Sequence, residues 1–87
     1  MALLGMDIGS VRSLATQLSA KADEIEHLAS ALTSQLDGVA WVGADAENFR
    51  SEWQSHHRSQ LTAVANALRD ASQRATANAN QQEQASS

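Results

Sequence analysis

The stretch Leu36-Asp37-Gly38-Val39-Ala40-Trp41-Val42-Gly43-Ala44-Asp45-Ala46 decides how this chain folds. Gly38 and Gly43 bracket Trp41 and Val42 midway along the sequence, and a regular apolar spacing runs away from them in both directions. Towards the amino terminus, Val11, Leu14, Leu18, Ala22, Ile25, Leu28 (with Ala29), Leu32 and Leu36 recur at intervals of three and four, which is one stripe on a helix. Asp7 or Ser10 serves as N-cap and Gly38 marks the end, so helix one is expected over about residues 7–38. A helix of about 30 residues is roughly 45 Å long. Towards the carboxyl terminus, Ala46, Phe49, Trp53, His57, Leu61, Val64, Leu68, Ala71 and Ala75 keep the same spacing. Asp45 and Glu47 stand in the first turn, where carboxylates complement the helix dipole.

These stripes predict a turn at 39–44 and helix two over about 45–75. From Thr76 onward no large apolar residue appears, which predicts a frayed, disordered polar tail over 76–87. Seventeen alanines and the absence of Pro favour helix throughout. The fold class is therefore all-α: a hairpin of two antiparallel helices occupying residues 1–75. With the turn centred near Trp41 and Val42, facing residues have numbers that sum to about 83. Leu14 then meets Leu68 or Arg69, Leu18 meets Ala65, Leu32 meets Ser51 and His27 meets His56. A lone hairpin leaves one side of both stripes wet, so two hairpins are expected to pair into a four-helix bundle. Leu14, Leu18, Ile25, Leu28, Leu32, Phe49, Trp53, His57, Leu61, Val64 and Leu68 are the expected dimer or core interface.

Composition narrows the function. At 87 residues and 9.3 kDa the chain is one domain, too small for a deep pocket of its own. There is no Cys to staple the fold, and the net charge of -4 lacks the basic face that nucleic acid or an anionic membrane surface requires. Met1 to Leu4 is too short an apolar run, with no preceding Lys or Arg, to act as a cleavable signal peptide. No stretch approaches the roughly 20 apolar residues of a membrane span.

Catalytic and metal chemistry find no footing. His56 and His57 are adjacent on a helix and point about 100° apart, so they do not share a metal from one face. His27 and His56 are the one conceivable ligand pair across the hairpin, short of the three or four ligands a site needs. Ser55, His57 and Asp70 are spread over about four turns and do not meet as a triad. Asp23, Glu24 and Glu26 read as a solvated face. No catalytic, cofactor or metal residues are expected, and the chain reads as a non-enzyme.

The central Trp41-Val42-Gly43, with Phe49 and Trp53 following on helix two and apolar stripes on both sides, resembles the WXG family. These are early-secretory-antigen-like helical hairpins of roughly a hundred residues, exported by type VII secretion systems. The resemblance covers most of the chain. It implies a protein folded first in the cytoplasm and secreted as a folded dimer, recognised by a secretion ATPase, either as substrate or as co-secreted accessory. The backbone also accounts for the motif: Gly43 suits a tight turn needing positive φ, and the Trp41 indole is suited to closing the end of the bundle by burial. The family's export signal, Tyr-x-x-x-Asp or Glu after helix two, is incomplete here: Glu83 is present, but Ala79 stands where the tyrosine belongs. That departure favours a heterodimer, over a homodimer, with a related member carrying the signal. The alternative is an intracellular adaptor that docks a partner protein through the same stripe.

Overall fold

The computed structural model describes residues 7–86. Helix α1 spans Ile8–Gly38, α2 spans Ala44–Glu52 and α3 spans Arg58–Ser86. A π-helical segment, Trp53–His57, joins α2 to α3 without a break. The chain is all-helical, and α1 packs along α3 as a hairpin measuring 64 × 17 × 14 Å. Residues 1–6, which include the opening run Met1–Leu4 and Gly5, and residue 87 lie outside the described residues.

α1 begins where the sequence places it. The Asp7 carboxylate accepts a hydrogen bond from the Ser10 backbone N–H at 3.0 Å, satisfying one of the unpaired donors of the first turn. That bond also holds the Asp7 carboxyl below its ordinary pKa. At the other end, Val39 leaves the helix in extended conformation, and its N–H closes the last turn onto the Gln35 carbonyl.

The seam between the helices is built from alanine. Ala15, Ala22, Ala29 and Leu36, spaced by sevens, are the buried residues of α1. Val11, Leu18, Ile25 and Leu32 are half-buried on one flank of that line, and Arg12, Ser19, Glu26 and Thr33 on the other. A strict seven-residue repeat keeps one line of side chains facing a partner helix. Across the seam, Ala46, Trp53, Ala65 and Ala79 are buried, with Ser72 half-buried between the last two. Large buried side chains gather near the turn, where Ala29, Leu36 and Trp53 form a cluster with Leu32 and Leu61 against it.

The π segment follows from residue spacing. Seam-facing residues on the second rod step by four three times, from Trp53 to His57 to Leu61 to Ala65. Twelve residues then fill three turns, where a helix of 3.6 residues per turn uses about eleven. The surplus residue is absorbed by the wider turn, with the Arg58 N–H reaching five residues back to the Trp53 carbonyl. His57 and Arg58 consequently both sit half-buried on the inner side of the rod.

Two expectations need correction. Helix two does not end at residue 75: α3 continues to Ser86. Ala79 extends the alanine seam with no exposed surface, and Arg12 donates to Asn80 at 2.9 Å and Glu83 at 2.8 Å. Small and polar residues suffice there because the alanine seam needs no large side chain. The register is also shifted by about one turn. Arg50 bonds Leu36, Trp53 bonds Thr33 and Ser72 bonds the Ala15 carbonyl at 2.6 Å, pairs whose numbers sum to 86 or 87 rather than 83. The extended residues after Gly38 carry the chain onward before it reverses, so each α1 residue faces a later one.

Candidate functional site

The ion pairs define the two sides of the hairpin. Arg69 donates to Asp23 at 2.8 Å and to Glu26 at 2.7 Å, and Arg12 reaches Asn80 and Glu83, so the polar flanks of α1 and α3 are joined on one side. Hydrogen bonds from Arg69 and Arg12 hold the Glu26 and Glu83 carboxyls, respectively, below their ordinary pKa values. A cavity of about 150 Å³ lined by Glu26, Ala29, Ser30, Arg58 and Thr62 lies on this side.

The opposite flanks share the remaining side. They carry Leu14, Leu18, Ile25, Leu28 and Leu32 from α1 and Leu61, Val64 and Leu68 from α3. Within the single chain Leu14, Leu28 and Val64 are 54%, 61% and 47% exposed, while Leu18, Ile25, Leu32, Leu61 and Leu68 are half-buried. The hairpin's own fold thus leaves Leu14, Leu28 and Val64 of this apolar strip largely in water.

The turn is fixed by one side chain. The Arg50 guanidinium donates Nε to the Leu36 carbonyl at 2.9 Å, Nη1 to Trp41 at 2.8 Å and Nη2 to Val39 at 3.2 Å. It thereby satisfies a carbonyl that the end of α1 leaves unpaired, and ties the end of α1 and the turn that follows it to α2. The same guanidinium lies 5.8 Å from the centre of the Trp41 ring, whose other neighbour is Phe49 at 6.2 Å. The Trp41 N–H closes a three-residue turn onto the Val39 carbonyl at 2.9 Å. Gly43 has φ 118°, a left-handed conformation that favours glycine, and its carbonyl accepts the Glu47 N–H that starts α2.

Of the residues singled out from sequence, Gly43 occupies the expected positive-φ position and Trp53 is buried. Trp41 differs: it is 39% exposed, because Arg50 and Phe49 prop it at the end of the rod instead of folding it inward. Phe49 is exposed beside it. His27 and His56 are exposed, and His57 lies half-buried with its ring 5.3 Å from that of His56. Among the described residues no group of three His, Asp or Glu side chains is placed to hold a metal ion, and no helix is long and apolar enough to cross a membrane. Arg50 and the Trp53–Thr33 hydrogen bond at 2.8 Å were not foreseen. No family model, curated protein or solved structure matches the chain.

Proposed function

We propose that this chain is a non-enzymatic substrate, or co-secreted partner, of a type VII secretion machine, folded in the cytoplasm as a hairpin and exported as half of a four-helix dimer. The observation that carries the reading is the lateral strip on which Leu14, Leu28 and Val64 stay exposed, with Ile25 and Leu68 half-buried beside them, paired with a seam built largely of alanines. Alanines let helices approach closely but each contributes little buried area, so the exposed Leu14, Leu28 and Val64 are left for a second hairpin. Trp41-Val42-Gly43 at the reversal of such a hairpin adds the resemblance to the WXG family.

The carboxyl-terminal residues support a heterodimer. Ala79 is buried in the seam and Glu83 is bound by Arg12, so this segment is engaged within the hairpin, and the related partner supplies the signal read by the secretion ATPase. The test compares culture medium from a strain with a working type VII ATPase and one without it. The protein is expected in the first medium only, and Ile25→Asp, which places a charge on the lateral strip, is expected to remove it. Medium free of the wild-type chain in the active strain overturns the proposal.

A further inference from the structure

We propose that the turn end of the hairpin is a docking knob that seats in an apolar socket rimmed by lysine or arginine side chains on another protein. Connecting segments are ordinarily polar. Here Val39, Trp41, Val42 and Phe49 are all exposed at one end of the rod, Val42 to 87%. Their arrangement is fixed before any partner arrives, because Arg50 grips three carbonyls of the turn and supports the Trp41 ring. A preorganised apolar anchor centred on a tryptophan loses little conformational freedom on binding.

Charge selects the occupant. Asp37, Asp45 and Glu47 flank this end with Arg50 as the one Lys or Arg among residues 37–50, so two of the four net negative charges of the chain are concentrated here. Among the described residues Asp37, Asp45 and Glu47 enter no salt bridge, and Arg50 is turned onto backbone carbonyls. Two such ends repel one another, which disfavours a second copy bound tip to tip, and an anionic lipid surface is repelled likewise. A protein socket with a basic rim accepts the knob and gains from attraction at distance. The proposal does not depend on what covers the lateral strip.

The experiment places a photo-crosslinking residue at position 42 of the full chain in the producing cells. The expected result is an adduct whose partner peptide is apolar and flanked by Lys or Arg. Its yield should fall by about fivefold or more in an Asp45→Lys, Glu47→Lys double variant whose circular dichroism matches wild type. An adduct indifferent to charge reversal, an adduct solely with a second copy, or no adduct overturns the proposal. Phosphatidylglycerol vesicles added to the purified protein should leave the tryptophan emission unshifted, and a blue shift would identify a membrane-binding tip instead. Dimer mass by light scattering, read separately, distinguishes failure of the knob from failure of the lateral strip.

Discussion

The hydrogen bond from Trp53 to Thr33 is the sharpest test of how the turn end is held. Among the described residues Trp53 is the one buried aromatic, and its Nε1 donates to the Thr33 Oγ1 at 2.8 Å. The Thr33 hydroxyl in turn donates to the Ala29 carbonyl at 2.8 Å, so it is oriented to accept. Thr33→Val keeps the shape and strands the indole N–H, a loss of about 1–2 kcal/mol. Trp53→Phe removes the donor and some ring area, at about 1–2 kcal/mol. In the double variant no donor is left to strand, so the two losses should fall short of additivity by about 1 kcal/mol. Urea unfolding followed by circular dichroism, at one fixed protein concentration so that association does not contribute, measures all four corners of the cycle. Additivity within about 0.3 kcal/mol would refute the bond.

Two further outcomes follow from the spacing and the charges. Deleting Ser55, exposed within the π segment, removes the surplus residue and should leave helicity and the urea midpoint at or above wild type; deleting Ala67 should lower the midpoint sharply, because every later residue rotates by about 100° off the seam. Glu83 has its carboxyl pKa lowered from 4.5 by the hydrogen bond from Arg12, so that contact stabilises the fold above about pH 4.5 and is lost as pH falls through the lower folded value. Glu83→Gln should therefore flatten the acid side of the stability profile between pH 5 and pH 3, and an unchanged profile would mean that Arg12 and Glu83 do not pair in solution.

The two rods, their caps and the reversal at Gly43 were legible because each rests on local chemistry: Asp7 before an apolar stripe, a glycine where φ turns positive, and threes and fours in between. The seam was less legible, since apolar size drew attention to Leu14, Leu28 and Val64, whereas the face turned inward is the one with Ala15, Ala22 and Ala29 spaced by sevens. The steps of four from Trp53 to Ala65 were in view and signal the π segment, yet a stripe reading tolerates threes and fours in any order. Residues 76–86 looked disordered because they lack large apolar side chains, and the partner that orders them, Arg12, is remote in sequence. Arg50 had no local signature either, for its importance comes from three carbonyls brought together only by the turn.

The distribution of packing along the rod links its two surfaces. Leu36 and Trp53, the large buried residues, lie near the turn, and Arg50 adds its clamp there. Farther along, the seam continues through Ala22 and Ala65 to Ala15 and Ala79, supplemented by exposed ion pairs that each contribute little in water. The hairpin is thus firmest where Val42 and Trp41 protrude and weakest towards its open end. The lateral strip runs from Leu32 and Leu61, packed against that cluster, to Leu14 towards the open end, and its exposed members Leu14, Leu28 and Val64 each stand next in sequence to an alanine of the seam. A second hairpin laid on that strip adds burial where the alanine seam supplies least, while leaving the clamped end free to bind elsewhere. In the proposed dimer, association would complete the burial along the rod, whereas Arg50 already fixes the turn within the single chain.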